Sequence, residues 1–427
     1  MRALLCSLNY APELTGIGKY TGEMAEWLAA RGIDVTVVTA PPYYPAWRVE
    51  RPYSARRYTR ETVRGVDVIR CPLWVPRQAT ALKRILHLAS FALTSLPVML
   101  WLAIRLRPKL VLVIEPPLFA APGARLAARL AGAKAWLHVQ DFEVDAAFDL
   151  GFLRAGLLRR AVLAFEGWLM RGFDRVSTIS ERMVARLSAK KVAADRTQLF
   201  PNWVELDRIR PLPSASELRA PHFADDKIIV LYAGSMGRKQ GLETVLQAAR
   251  VLEPMTDKLQ FVMCGDGPGR QELERSAAGA KNVTFWPLVP AERLNELLNI
   301  ADIHIMPQRA DAQDLVFPSK LTNMLASGRP VVATVNPETQ IAEMLDGCGV
   351  VVPPGAPLKL ADALRSLAAD AALRRALGEA ARRTAERLWD KNAVLAQAFR
   401  EHVGAHVQMG TPPRTIVAEE ARTTTAA

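Results

Sequence analysis

A lysine at the mouth of a helix is the group in this chain best placed to do chemistry. Pro318-Ser319-Lys320 runs into a helical stretch that carries Asn323 one turn in and closes at Gly328-Arg329-Pro330. A helix N-terminus presents unpaired backbone N–H groups and the positive end of its dipole. Lys320 adds a flexible point charge beside them, so the pattern favours an anion such as a diphosphate. Ser319 can cap the free N–H groups, and Gly328 ends the helix before the strand Val331-Val332-Ala333-Thr334. Alone, the same residues would read as an ordinary cap next to a solvated lysine.

Arg238 and Lys239 supply two more cations. They follow Gly234-Ser235-Met236-Gly237 at a strand-to-helix junction, where positive side chains oppose the helix dipole unless they serve something else. Three converging cations would balance charge that grows on a departing diphosphate. Gly265 and Asp266 open a second glycine-rich turn, whose carboxylate either stabilises the turn or meets the nucleoside end of a ligand. Near the N-terminus, Gly16 and Gly18 flank a helix entry. Their spacing lacks the dinucleotide fingerprint, yet glycines at a sheet's carboxyl edge let a phosphate or sugar approach the backbone.

His138 ends a strand and Asp141 follows it in Gln140-Asp141-Phe142-Glu143. Acid/base work or contact with sugar hydroxyls suits both residues, as does a satisfied core role for the histidine. Glu143, Asp145 and Asp149 are candidate acceptor contacts or a polar rim. No compact Asp-x-Asp pair occurs there, and the four cysteines, at 6, 71, 264 and 348, have no metal-type spacing, so no metal and a reducing compartment are expected.

The elements that must position these groups alternate strand and helix. Residues 2–8 form an apolar strand, a glycine-containing loop follows, and Tyr20, Met24, Trp27 and Leu28 recur at helical spacing before the strand Ile33–Thr39. Leu110–Ile114, Ala135–Val139 and Arg175–Ile179 read as further strands. After a proline-bearing connector near 202–225 the pattern restarts with Ile228–Ala233, Leu259–Cys264, Val283–Trp286, Ile303–Met306 and Val331–Thr334. The expected fold is α/β, with two facing Rossmann-like domains of parallel sheets and a ligand cleft between their strand ends. The domains are expected at 1–205 and 206–385. A helix at 386–403 returns to the first domain, and 404–427 form a flexible tail rich in Ala, Thr and Pro.

Charge is divided unevenly. The chain of 427 residues has net charge +12, with 29 Lys and Arg against 16 Asp and Glu in residues 1–200 and 26 against 27 in the remainder. Basic surface on the first half suits an anionic membrane face, while no nucleic-acid-binding motif is present. Leu86 to Ile104 lacks Asp, Glu, Lys and Arg, and basic residues flank it on both sides. At 19 residues, interrupted by Pro97, it barely reaches the length of a bilayer span. We read it as a helix of the first domain lying against the membrane, with a fully buried crossover helix and a true span as the alternatives. The N-terminus reaches a loop too soon for a signal peptide.

The ordered set Pro12-Glu13-Leu14-Thr15-Gly16-Ile17-Gly18-Lys19-Tyr20-Thr21, Pro201-Asn202-Trp203-Val204, Gly237-Arg238-Lys239-Gln240-Gly241-Leu242-Glu243, Gly265-Asp266-Gly267-Pro268, Pro318-Ser319-Lys320 and Ala326-Ser327-Gly328-Arg329-Pro330 resembles the retaining GT-B glycosyltransferases of family 4. Within that family it looks closest to the fucosyltransferase-type enzymes of colanic-acid biosynthesis. The resemblance implies a nucleoside diphosphate sugar, GDP-fucose foremost, held by the second domain. It also implies an acceptor held by the first domain, and the basic first half with the Leu86–Ile104 helix points to a polyprenyl-diphosphate-linked saccharide at the cytoplasmic face of the cell membrane. Gly16 would approach donor phosphate or sugar, Arg238 and Lys320 would hold the diphosphate, and Asp266 would line the nucleoside pocket.

Two positions depart from the family pattern. Asn323 and Leu315 stand where paired glutamates are common, and Gln140-Asp141 stands where a His-Asp pair is common, with His138 two residues earlier on the same strand face. The rival readings are a nucleotide-sugar epimerase on the same frame and a non-catalytic nucleotide-sugar-binding scaffold of a polysaccharide assembly system.

Overall fold

The computed structural model of the chain describes residues 1–13, 16–77, 80–144, 156–213, 216–224, 226–237, 240–309 and 319–403. The first sheet is built from β1 (Arg2–Cys6), β2 (Asp34–Thr39), β3 (Thr59–Val63), β4 (Val66–Arg70), β5 (Leu110–Glu115), β6 (Lys134–Val139), β7 (Arg175–Thr178) and β8 (Thr197–Leu199). The second contains β9 (Ile228–Ala233), β10 (Leu259–Cys264), β11 (Val283–Trp286), β12 (Ile303–Pro307), β13 (Val331–Thr334) and β14 (Gly349–Val352). Their orders are β3-β4-β2-β1-β5-β6-β7-β8 and β11-β10-β9-β12-β13-β14. The central strands are runs of Val, Ile and Leu, as expected where helices cover both faces of a parallel sheet.

All the pairings are parallel except β3 with β4. That hairpin, absent from the sequence expectation, turns on Arg64 (φ 48°) and Gly65 (φ 79°), the two positive-φ residues a tight turn requires. Its outer strand, Thr-Arg-Glu-Thr-Val, is largely exposed, so it lacks the apolar alternation that marks a half-buried strand.

Three helices of the first unit border its site edge and its outer face: α1 (Gly16–Ala29), α2 (Ala81–Leu106) and α3 (Ala121–Ala131). α2 is the crossover between β4 and β5. It buries Leu88, Phe91, Met99, Leu102 and Ala103, while Leu82, Leu86, Leu93, Trp101 and Ile104 stay exposed along the other side. The run is long and apolar enough to cross a bilayer, but one of its faces is committed to the protein core, so a fully buried crossover describes only half of it.

The chain passes between the two units twice at one place. Val204 N–H donates to the Trp389 carbonyl at 2.8 Å and Lys391 N–H donates to the Val204 carbonyl at 3.2 Å, forming an isolated parallel bridge with Asp390. The helix expected at 386–403 is divided there, between Ala371–Trp389 and Lys391–Val403. The last helix then packs Leu395, Ala398 and Phe399 against Trp27, Trp136 and Phe200 beneath the first sheet. Phe399 lies 5.1 Å from Trp136 and 6.4 Å from Trp27, centroid to centroid. Phe399→Ala is expected to destabilise the first unit by about 3–5 kcal/mol, read as a lower urea midpoint in the tryptophan fluorescence of the folded chain.

Candidate functional site

In the second sheet the chain starts at β9, builds outward through β10 and β11, and then returns to the other side of β9 as β12. The crevice between the carboxyl ends of β9 and β12 is therefore a topological switch point, where ligands of such sheets bind. Lys320 stands there, in the first turn of the helix Ser319–Ala326 that follows β12. Its Nζ lies 5.0 Å from the centroid of Tyr232, whose hydroxyl donates to the Ser235 carbonyl at 2.5 Å. The side chain is half-buried, and loss of water pushes its pKa down to about 8. No carboxylate among the described residues pairs with it.

The wall opposite is bare backbone. A Cβ on Gly234 would stand 3.8 Å from the Lys320 Nζ, and a Cβ on Gly265 (φ 149°) would fall 1.9 Å from the Gly234 carbonyl oxygen. The loops after β9 and β10 are thus pressed together at a separation only glycine allows. Met236 N–H donates to the Asp266 carbonyl and Gly269 N–H to the Met236 carbonyl, both at 2.8 Å. Arg270 locks the turn by donating to the carbonyls of Gly265 at 2.5 Å and Trp286 at 3.0 Å. One carboxylate oxygen of the exposed Asp266 accepts from Gly267 N–H at 2.7 Å, leaving the other toward solvent. Asn323 is half-buried one helical turn from Lys320.

The first sheet has its own switch point between β1 and β5, and Gly16 lies at the loop that enters it. With φ +59° and no atom of the described residues within 4 Å of where a Cβ would stand, Gly16 leaves room for an approaching group. Gly18 is placed differently: it is buried, and a Cβ there would meet Glu13 Oε2 at 2.9 Å. Glu13 accepts from the backbone N–H groups of Tyr43 at 3.0 Å and Tyr44 at 3.1 Å and from Asn9 Nδ2 at 2.8 Å. Burial raises its pKa against these bonds, which favour the carboxylate.

His138 lies inside the sheet's edge at 3% exposure. Its Nδ1 is 2.9 Å from Ser177 Oγ, which also accepts from Trp136 Nε1 at 2.7 Å, and its Nε2 accepts from Gln140 Nε2 at 3.0 Å. Gln140 in turn exchanges two hydrogen bonds with Asn202, at 3.0 and 3.1 Å. Burial pushes the imidazole pKa down to about 3, so the ring is neutral with both nitrogens engaged. Asp141 follows at partial exposure. Glu143 accepts from Leu118 N–H at 3.0 Å, and burial pushes its pKa up to about 7.

Two groups were not singled out from the sequence. Asn202 appeared only within a motif run, although it completes the buried amide pair. Glu115 closes the otherwise apolar strand Leu-Val-Leu-Val-Ile-Glu, fully buried with no hydrogen-bond partner for either oxygen among the described residues, and burial followed by repulsion from Glu166 raises its pKa well above the carboxylate range. A carboxylate ending an apolar strand at a sheet's site edge was the signal available for it. The two sheet edges face each other: Arg182, after β7, donates to the Glu338 carbonyl and approaches Glu343 at 3.5 Å, both after β13.

The structure thus brings Lys320, Asn323, Gly265 and Asp266 to one switch point and Gly16, Gly18, His138, Asp141 and Glu143 to the opposite edge. Arg238, Lys239, Pro318 and Asp145 lie outside the described residues, as do the side chain of Ser319 and the positions of Asp149 and Leu315. Among the described residues no group of three or more His, Cys, Asp or Glu gathers to hold a metal ion.

Two Rossmann-like units whose sheet edges face each other are the architecture of GT-B glycosyltransferases, and sequence comparison agrees. The glycosyl transferase 4-like domain matches residues 15–203 and the glycosyl transferases group 1 domain matches 214–384. The chain belongs to this family of nucleotide-sugar-dependent glycosyltransferases. It is 43% identical over 416 residues to the colanic acid biosynthesis glycosyl transferase WcaI of Escherichia coli K12, covering 94% of this chain and 99% of that one. Among solved structures it superposes on the sucrose-phosphate synthase of Thermosynechococcus elongatus with TM-score 0.71 at 20% identity, covering 94% and 98% of the two chains. It superposes on the lipopolysaccharide-biosynthesis glycosyltransferase WaaG with TM-score 0.64 at 18% identity, covering 96% and 100%.

The amine of Lys320 has a pKa near 8 when free, and an adjacent diphosphate stabilises its charged form and raises that value. Affinity for a nucleoside diphosphate is therefore expected to be flat below pH 8 and to fall by up to about tenfold per pH unit above it. Calorimetric titrations from pH 7 to pH 9.5 in two buffers of different ionisation enthalpy check this, since proton uptake must appear only above the free pKa.

Proposed function

We propose that the protein transfers a sugar, with retention of anomeric configuration, from a nucleoside diphosphate sugar to a lipid-linked oligosaccharide at the cytoplasmic face of the cell membrane, in exopolysaccharide biosynthesis. The observation that carries the donor half is Lys320: a half-buried ammonium at the switch point of the second sheet, without a carboxylate among the described residues, beside backbone that glycines leave bare. Such a group is completed by a diphosphate. As the bond from the sugar's anomeric carbon to the β-phosphate oxygen breaks, Lys320 offsets the charge that grows on that oxygen. The acceptor hydroxyl attacks the same face and gives its proton to the departing phosphate.

Arg238, Lys239, Pro318 and Ser319 join Lys320 on the diphosphate in this reading, Gly265 and Asp266 border the nucleoside, and Asn323 reaches a donor hydroxyl. Gly16 admits the donor to the first domain's edge, and Gly18 makes room for Glu13. His138, neutral and doubly bonded, orients Gln140 and Asn202 rather than moving a proton, while Asp141, Glu143 and Asp145 face the acceptor. Three cations on the diphosphate would make a metal ion unnecessary. GDP-fucose is the leading donor, through the resemblance to the colanic-acid enzymes.

Lys320→Ala is expected to lower transfer by about a hundredfold or more while the fold persists. A thermal-shift screen of GDP-, UDP- and dTDP-sugars, followed by mass and anomeric analysis of the product with and without chelator, checks donor, stereochemistry and metal dependence together. An inverted product, or activity lost with the chelator, would overturn the corresponding part.

The membrane half is supported by α2. Leu86, Leu93, Trp101 and Ile104 recur on one exposed face at helical spacing, Leu126 and Leu130 of the adjoining α3 are also exposed, and Arg105, Arg107 and Lys109 close the end. Leu93→Asp combined with Ile104→Asp is expected to release the protein from anionic vesicles in a sedimentation assay without changing nucleotide affinity.

A further inference from the structure

Beside the outward face of α2 the first domain holds a groove of about 1080 Å³ in which the donor chemistry has no part. Trp47 and Trp74 line it with Arg48, Arg56 and Arg77, over a floor that includes Leu73 and Val75. Arg48 pairs with Glu50, whereas neither Arg56 nor Arg77 has a carboxylate partner among the described residues. A groove that is aromatic, apolar and basic at once fits an amphiphile with an anionic head, since a sugar or a nucleotide alone would leave the apolar lining uncovered.

The walls are fixed. Trp74 N–H donates to Ser90 Oγ at 3.1 Å, Thr94 Oγ1 donates to the Pro72 carbonyl at 2.7 Å, and Tyr58 donates to the Thr94 carbonyl at 3.1 Å, all binding the groove to α2. Ser90 and Thr94 also line it. Ser90 is four residues after Leu86 and three before Leu93, so on a helix the groove adjoins the exposed apolar stripe. At the other end Tyr43 packs on Trp47 at 5.7 Å, and its backbone N–H is held by Glu13, the carboxylate beneath Gly18. The groove therefore adjoins the apolar stripe at one end, and at the other its wall residue Trp47 is joined through Tyr43 to Glu13.

We propose that this groove seats the head of a lipid diphosphate acceptor, with Arg48, Arg56 and Arg77 on the phosphates, the two tryptophans on the first part of the chain, and the remaining tail leaving along Leu86 and Leu93. The proposal rests on the lipid-linked acceptor reading and gives that acceptor a place. The probe is farnesyl diphosphate, titrated into the full chain against farnesol, inorganic diphosphate and phosphatidylglycerol vesicles. Arg56→Glu with Arg77→Glu is expected to weaken farnesyl diphosphate by about tenfold or more, and Trp74→Ala to weaken it less, with nucleoside diphosphate affinity unchanged in both. Lys320→Ala leaves farnesyl diphosphate binding intact.

Unchanged binding in the double variant overturns the proposal, as does displacement by inorganic diphosphate or by phosphatidylglycerol at the same concentration as by farnesyl diphosphate itself. Loss in Lys320→Ala instead would place the probe in the donor site. Wild-type transfer to lipid-linked saccharide that persists unaltered in the double variant sinks the groove and keeps the function. Transfer only to free saccharide sinks the acceptor reading.

Discussion

An ammonium group held partly out of water, with no carboxylate partner among the described residues, is the constraint around which the second domain is arranged. Desolvation alone brings the Lys320 amine down to a pKa of about 8, and the face of Tyr232 offers only about 0.5–2 kcal/mol in return. The surroundings are consistent with leaving the counter-charge to a ligand. Glycines at 234 and 265 remove side chains from the opposing wall, Arg270 turns its charge inward onto two carbonyls, and the carboxylate of Asp266 is partly absorbed by its own turn. In the proposed reading, a bound diphosphate would supply that counter-charge.

The opposite edge follows other physics. Five of its polar groups satisfy one another: indole, hydroxyl, imidazole and two amides form one buried chain from Trp136 to Asn202, beside the buried carboxyl of Glu115. Such a chain fixes geometry and holds protons still. One domain thus presents a cation without a carboxylate partner among the described residues, and the other a hydrogen-bonded polar chain.

Much of this was legible in the sequence, because it depended on local pattern. Apolar runs separated by amphipathic stretches announced parallel strands with crossovers, and Lys320 was visible as a cation at a helix start. What depended on distant partners was not. Nothing near His138 in sequence indicates Ser177 or Asn202, so a bonded core histidine and an exposed base looked alike. Gly18 resembled a ligand-approach glycine until Glu13 filled the space above it. The break at Asp390 has no proline or glycine to mark it, because Val204, 186 positions earlier, supplies the hydrogen bonds that permit it. α2 was ambiguous for a related reason: hydrophobic residues all round a helix do not say which side meets protein and which meets lipid.

The paired crossing at Val204 and Asp390 has a mechanical consequence. Two passages of the chain meet at one point, joined by a pair of backbone hydrogen bonds, so that point is the natural axis for any rotation of one domain against the other. Arg182, reaching from one sheet edge to Glu338 and Glu343 on the other, makes a light contact away from that axis. A turn about the crossing would part this contact while the residues that fill each domain's own core stayed together.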